Sequence, residues 1–129
     1  MVLWIENKRY ISIILTLVLA IEIFLVSSIP GSKTTDIHSP LIPIIYHFSV
    51  YFLLNFFLFF SIKGKKEMSS TYIITALILS LVYAISDEFH QSFVPMRSPD
   101  LNDILTDSIG LSISVLLAAF ISKKSNQQF

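Results

Sequence analysis

Long apolar stretches separated by short polar segments dominate the pattern of residues along this chain. A helix needs about 20 mostly apolar residues to cross the hydrocarbon core of a bilayer, which is about 30 Å thick. The stretches that reach this length are residues 10–29, 41–62, 72–91 and 101–122. Turn-forming residues separate them, namely Pro30 and Gly31, Gly64, and Pro95. The pattern therefore predicts an all-α integral membrane bundle of four transmembrane helices.

Local signals predict how the fourth helix begins and where the aromatic residues lie. Ser98 followed by Pro99 is typical of a helix N-cap and first helical residue, so this pair predicts the start of the fourth helix. Residues 56–60 hold four phenylalanines, and Trp4 precedes the first apolar stretch. We expect these aromatic side chains to face lipid or the membrane interface.

Lysine and arginine are distributed unequally between the two sets of loops that the four spans create. Seven of the nine lie on one side: Lys8, Arg9, Lys63, Lys65, Lys66, Lys123 and Lys124. The other side holds only Lys33 and Arg97. Because cytoplasmic loops carry the excess of these residues, we expect both termini in the cytoplasm and the Arg97 loop outside. The protein is then a multi-pass protein of the cell membrane.

Composition narrows the class further. The chain of 129 residues is 53% hydrophobic and only 14% charged, and its nine Lys and Arg balance its nine Asp and Glu. This balance excludes a basic nucleic-acid binder, and the lack of cysteine excludes disulfides, thiolate metal sites and cysteine nucleophiles. One domain over residues 1–129 fits the length. No small-residue cleavage site follows the first apolar stretch, so we expect this segment to be retained.

Most of the polar residues within the spans lie near the side predicted to face outward. The candidate polar site consists of His47, Asp87, Glu88, His90, Gln91, Arg97, Asp103 and Asp107. Three helical stripes contain most of them. The stripes are His47, Tyr51 and Asn55; Ser80, Tyr83, Asp87, His90 and Gln91; and Asp100, Asp103, Asp107, Gly110 and Ser114. Polar stripes that avoid lipid should face one another, and Gly110 would allow close helix packing.

Several of these residues also have a purely structural interpretation. Asp100 and Asp103 at a helix N-terminus are favoured by the helix dipole, whereas Asp87 and Glu88 at a C-terminus are not. An ion pair with Arg97, a protonated His90, a cation or water would offset the unfavourable dipole interaction of Asp87 and Glu88. Glu22 and Asp107 lie deeper in the membrane, where acidic side chains usually face a cavity. The alternative for Glu22 is that its carboxyl group carries a proton. Residues 27–28, two serines, either end the helix or supply a nucleophile.

Several sequence elements together resemble a known family. Residues 83–100 are YAISDEFHQSFVPMRSPD and residues 103–110 are DILTDSIG. Shorter elements are His47-Phe48 with Tyr51, and SSIP at residues 27–30. Over residues 27–110 the chain thus resembles the VanZ-like family, which is named for a teicoplanin resistance protein. Its DExHQxFVPxR block is specific. The family often has Gly at the position of Met96, Asn at that of Asp107, and a Lys near Ile44.

The resemblance implies a small polytopic protein of the cell envelope with an outward-facing polar site, and an effect on lipoglycopeptide susceptibility as in the named member. The alternative is an intramembrane enzyme, a hydrolase or transferase, acting on an envelope lipid or lipid-linked substrate. In that case His47 or His90 is the base and Arg97 holds a phosphate or carboxylate. A transporter with so few helices would need a dimer, and a homo-oligomer is open in any case. The expected partners are the bilayer and a lipid-type ligand. No cofactor is identified. The spacing is not a known metal signature, since H-E-x-x-H is absent, and whether a metal binds stays open.

Overall fold

The computed structural model describes residues 8–31 and 41–126, and these residues form four helices and no strand. Helix α1 covers Arg9–Ser27, α2 covers Leu41–Lys63, α3 covers Ser70–Gln91 and α4 covers Leu101–Asn126. All four are long and apolar enough to cross a membrane. The prediction of an all-α bundle of four membrane-spanning helices is therefore confirmed. The expectations for Trp4 and Lys33 lie outside the described residues.

The outer faces of the helices are apolar along their length. Large side chains such as Leu17, Ile21, Ile78 and Leu116 are each more than half exposed. Soluble proteins rarely expose contiguous apolar surface of this extent, because its contact with water is unfavourable. Lipid tails remove that penalty, so the distribution agrees with a multi-pass membrane protein.

Small and polar residues hold the helices together. Helices α2 and α3 each contact all the others, whereas α1 and α4 do not contact each other in the described part of the chain. A Cβ at Gly110 of α4 would lie 2.7 Å from the Phe48 carbonyl oxygen of α2, so glycine permits this close approach. Ser114 donates a hydrogen bond to the Phe52 carbonyl at 2.7 Å, and Asn55 donates one to the Leu111 carbonyl at 2.8 Å. Such contacts replace the hydrophobic effect, which is absent between helices in lipid.

The prediction that the phenylalanine run faces lipid or the interface is wrong for two of its members. Phe59 and Phe60 are fully buried, and they form a core cluster with alanines and a valine of α3 and α4. Ala76 and Ala118 leave the space that these rings fill. The sequence does not reveal which residues of a uniformly apolar stretch face a neighbouring helix, because lipid and protein interior are equally apolar.

The prediction for the start of α4 is also wrong in detail. Ser98 and Pro99 precede the helix, which begins at Leu101, and Asp100 provides the cap. The Asp100 Oδ1 accepts a hydrogen bond from the Asn102 backbone amide at 2.8 Å. The Asp100 backbone amide is held by the Glu88 carboxylate at 2.8 Å, which ties the start of α4 to the end of α3.

The loop between α3 and α4 also holds the end of α1. Arg97 donates from Nε to the Ile29 carbonyl at 2.9 Å and from Nη2 to the Val26 carbonyl at 3.1 Å. The Gly31 amide donates to the Pro95 carbonyl at 3.1 Å. Arg97 thus donates to carbonyl groups at and just beyond the last turn of α1, where a helix leaves carbonyls short of intrahelical donors. The loop closes the end of the bundle at which α1 and α3 end and α2 and α4 begin, which we call the polar end.

Candidate functional site

The three polar stripes turn toward one another at the polar end. His47, Tyr51 and Asn55 are buried on α2, as are Ser80, Asp87 and Gln91 on α3, and Asp107, Gly110 and Ser114 on α4. The expectation that these stripes face the interior of the bundle is confirmed for these residues. Because these polar side chains point into the bundle, several of their ionisable groups lie within a few ångströms of one another.

His47 is the centre of the densest group. Its Nδ1 lies 3.1 Å from Asp107 Oδ1, and its Nε2 lies 3.8 Å from Asp103 Oδ2. Asp107 is fully buried and His47 is nearly so. A carboxylate accepts hydrogen bonds only, so the Asp107 contact assigns a proton to Nδ1 of the imidazole. The ring is therefore oriented with Nε2 toward the remaining acids.

Glu88 of α3 completes this group. One atom from each of His47, Glu88 and Asp103 lies within 4.8 Å of the others, which is a spacing that a single metal ion could bridge after small side-chain movements. We call His47, Glu88, Asp103 and Asp107 the acid–histidine cluster. Three different helices supply its members.

Asp87 and Gln91 lie beside the cluster and connect it to Arg97. The Gln91 Nε2 donates to Asp87 Oδ2 at 3.1 Å and lies 3.4 Å from Glu88 Oε1. The Gln91 Oε1 accepts from Arg97 Nη1 at 3.4 Å. The alternative of an ion pair between Arg97 and these acids is therefore wrong among the described residues. The Gln91 amide stands between the guanidinium and both carboxylates.

A cavity of about 270 Å³ lies between α1, α2 and α3 at the polar end. Its apolar lining consists of Ile23, Val26, Ile42 and Pro43, and its polar lining of Ser27, Tyr46, His47, Tyr51, Asp87, Gln91 and Arg97. Ile42 and Pro43 are exposed on the outer surface of the bundle, so the apolar side of the cavity continues toward the lipid. We call the first set of lining residues the apolar wall of the cavity and the second set its polar floor.

Three buried oxygen atoms near the cavity have no hydrogen-bond partner among the described residues. They are Tyr51 Oη, Asp107 Oδ2 and Glu22 Oε2. Unpaired polar groups in a protein interior are rare because each loses its hydrogen bonds to water. Tyr51 stacks on the His47 ring at a centroid distance of 6.3 Å, which places its unpaired hydroxyl near the acid–histidine cluster.

His90 lies apart from the other predicted site residues. Its Nε2 is 3.0 Å from Ser28 Oγ, and its ring stacks on Phe24 with a centroid distance of 4.7 Å. Ser28 donates its single hydroxyl proton to the Phe24 carbonyl at 2.7 Å, so in this arrangement His90 donates to the serine. A histidine that donates to a serine does not activate it as a nucleophile. The pair therefore stabilises the end of α1.

Sequence reasoning missed Tyr46. Its hydroxyl donates to Glu22 Oε1 at 2.9 Å, and its side chain lines the cavity. A signal was present, because Tyr46 is five residues after the start of α2 and Glu22 is five residues before the end of α1. In antiparallel helices these positions have similar depth. Glu22 thus has a specific partner on α2.

Comparisons with known proteins confirm the family resemblance predicted from the sequence. A family described as VanZ/LLP1 matches residues 12–122. An uncharacterised protein of Schizosaccharomyces pombe, C11E3.10, is 31% identical over 80 residues, which are 60% of this chain and 47% of that protein. The chain therefore spans about half the length of this relative. No solved structure matches the chain.

Proposed function

Because the chain belongs to the VanZ/LLP1 family and is a multi-pass membrane protein, we propose that it binds an amphipathic, lipid-type molecule at the polar end. The observation that carries this proposal is the cavity between α1, α2 and α3, which has a polar floor and an apolar wall that continues to the lipid-facing surface. Ligand sites of this kind combine apolar lining with a few convergent polar groups. The polar head of the ligand lies against the floor, and its chain follows the wall.

Arg97 is the group that selects an anionic head. A guanidinium has five N–H donors, and the contacts to Ile29, Val26 and Gln91 use three of them. The remaining two donors have no partner among the described residues, and they can bind a phosphate or carboxylate, whose geometry matches the guanidinium fork. The same contacts hold the side chain in place, which reduces the entropy lost on binding.

Replacing Arg97 with Gln should weaken binding of an anionic lipid by about tenfold or more, since a hydrogen bond to a charged group contributes roughly 1.5–3 kcal/mol. Native mass spectrometry of the purified chain with short-chain phosphatidylglycerol and phosphatidylcholine measures this. Lys66→Gln removes an equal charge beyond the other end of α2 and should leave binding unchanged. Equal loss in both variants, or no preference for the anionic lipid in the wild type, would contradict the proposal.

We further propose that the polar end faces the outside of the cell membrane and both termini face the cytoplasm. The support is the distribution of seven Lys and Arg on one side against two on the other. The chain has no cysteine, so single cysteines can be introduced cleanly. In intact cells a membrane-impermeant maleimide should label Ser98→Cys and spare Lys66→Cys until the cells are opened. Labelling of Lys66→Cys but not Ser98→Cys in intact cells would contradict this orientation.

The family resemblance supports a role in the cell envelope and an effect on lipoglycopeptide susceptibility. Such an effect follows from the proposed site if a bound lipid or lipid-linked molecule at the outer surface alters how these drugs reach their target. In a host that expresses the protein, the change in susceptibility should therefore follow the lipid affinity of the Arg97 variant.

A second candidate function is an intramembrane enzyme acting on the bound lipid or lipid-linked molecule. The observation that favours it is the pairing of His47 with Asp107, because an acid that orients an imidazole is the usual arrangement of a general base. Incubation of the purified chain with a lipid would then yield a product, whereas simple binding returns the lipid unchanged.

A further inference from the structure

We infer that the acid–histidine cluster is a binding site for a divalent first-row transition-metal ion such as Zn²⁺, with His47 Nε2, Glu88 and Asp103 as the ligands. The fourth member, Asp107, orients the imidazole and does not bind the ion directly. This inference deepens the proposed function, because the ion would lie beside the floor of the lipid cavity.

The orientation of His47 is the first argument. Metal-binding histidines almost always donate the second ring N–H to a carboxylate, carbonyl or water, which fixes the tautomer and turns the other nitrogen toward the metal. Here Asp107 Oδ1 lies 3.1 Å from Nδ1. The free nitrogen, Nε2, faces Asp103 Oδ2 at 3.8 Å. A lone pair that faces a carboxylate is unfavourable, so Nε2 needs either a proton or a metal ion between it and Asp103.

The spacing and charge of the ligands are the second argument. Ligand atoms around a tetrahedral ion with bonds of about 2.0–2.1 Å lie about 3.3 Å apart. The ligand atoms of His47, Glu88 and Asp103 lie within 4.8 Å of one another, so side-chain adjustments of the order of 1 Å complete the geometry. Two carboxylates neutralise a divalent ion, which makes its burial in the membrane favourable.

The third argument is independent of the ligands themselves. Asp107 is fully buried, its carboxylate points at His47, and its Oδ2 has no partner among the described residues. Tyr51, also fully buried, keeps its hydroxyl unpaired while its ring stacks on His47. The ion-pair contacts that the structure shows for Asp103 and Asp107 are with the His47 imidazole. An ion with its bound water would satisfy both the charge and these oxygens.

The ligand set indicates the class of metal. Imidazole nitrogen with two carboxylate oxygens suits Zn²⁺ or Mn²⁺ better than Mg²⁺ or Ca²⁺, which prefer oxygen ligands alone. Three protein ligands leave at least one coordination position for water or for an oxygen of a lipid head group. A metal on Nε2 would also prevent His47 from acting as the general base of the second candidate function.

The full chain, purified in detergent and dialysed against a chelator, should bind one Zn²⁺ per molecule in a calorimetric titration, and its melting temperature should rise with the ion. Asp103→Asn and Glu88→Gln should weaken Zn²⁺ binding by at least tenfold, and Asp107→Asn should weaken it by about 10–100-fold through the histidine. His90→Gln and Glu22→Gln remove a matched histidine and a partly buried acid at the same end of the bundle, and they should bind Zn²⁺ as the wild type does.

Several results would overturn the inference. These are the lack of a saturable Zn²⁺ site in the folded wild type, equal losses in the ligand and control variants, and tighter binding of Mg²⁺ or Ca²⁺ than of Zn²⁺. The phosphatidylglycerol measurement, made with and without Zn²⁺, separates this inference from the proposed function. Lipid binding without any Zn²⁺ site refutes the metal alone, whereas Zn²⁺ binding without lipid binding supports the metal and refutes the lipid site.

Discussion

His47 and His90, the histidines that the structure describes at the polar end, have opposite surroundings, although the sequence predicted both as members of the candidate site. His47 is nearly buried between α2 and α4, with Asp103 and Asp107 on its two nitrogens. His90 is half-buried, and its neighbours are Ser28 and Phe24 of the α1 region. Helices α2 and α4 pack together more extensively than α1 and α3 do. The acids therefore converge where α2 and α4 pack extensively. Between α1 and α3, which pack less extensively, the His90 contact with Ser28 only stabilises the end of α1.

The difference follows from helix geometry within one short motif. Successive residues of a helix are rotated by about 100°, so residues two apart point about 160° away from each other. Glu88 therefore faces α4 while His90 faces α1. Asp87 and Gln91, which are four apart, share the direction between them and line the cavity. Glu88 and His90 therefore contact different helices although they are only two positions apart in the sequence.

The largest expected effect distinguishes the two histidines directly. His47→Ala leaves the fully buried Asp107 carboxylate without its partner, which should lower the free energy of unfolding by about 3 kcal/mol. His90→Ala removes a half-buried ring and one hydrogen bond, and should cost less than about 1 kcal/mol. Reversible unfolding in mixed detergent micelles measures both. Similar losses in the two variants would mean that the contrast between the histidines has no energetic basis.

A smaller effect should come from separating α2 and α4. In Gly110→Ala the new methyl group would meet the Phe48 carbonyl oxygen at 2.7 Å, and a backbone atom cannot move aside as a side chain can. The helices should separate, at a cost of about 1–3 kcal/mol, and the pairing of His47 with Asp107 should weaken. The His90 contact with Ser28 should persist. Imidazole NMR signals of both histidines report this difference.

A matched control for Gly110→Ala is available on the same helix. Ser112 is exposed, and among the described residues its hydroxyl bonds only to the Ser108 carbonyl of its own helix. Ser112→Ala should therefore change stability by no more than about 0.5 kcal/mol. If Gly110→Ala proves equally neutral, close approach of α2 and α4 is not what positions the acid–histidine cluster.

The smallest effect is expected in the loop on the His90 side. Met96 has a φ of 58°, a left-handed conformation that is unfavourable for residues other than glycine. Met96→Gly should stabilise the protein by less than about 1 kcal/mol, because the greater freedom of the unfolded glycine offsets part of the strain relieved. A thermal melt in micelles detects the shift. Met96→Ala keeps the strain and should show no gain, and destabilisation by glycine would contradict this account of the loop.

The sequence predicted the helices well and their contacts only in part. Lengths and ends of the four spans follow from apolar stretches and turn formers, and the buried polar stripes follow from helical spacing in a membrane. Phe59 and Phe60 were assigned to lipid because an apolar residue has no preference between lipid and protein. An ion pair of Arg97 with Asp87 and Glu88 was one alternative that the charges suggested, whereas the structure brings Arg97 to backbone carbonyls and Gln91.

By itself the sequence determined that this is an all-helical membrane protein and which residues are polar within its spans, because the cost of placing polar groups in lipid acts on each helix separately. Only the tertiary structure decided that Asp107 rather than Asp87 pairs with His47, that Tyr46 holds Glu22, and that His90 stands apart. These choices depend on the rotation and depth of one helix against another. Small residues such as Gly110 set that arrangement, and they carry no chemistry from which the partners could be inferred.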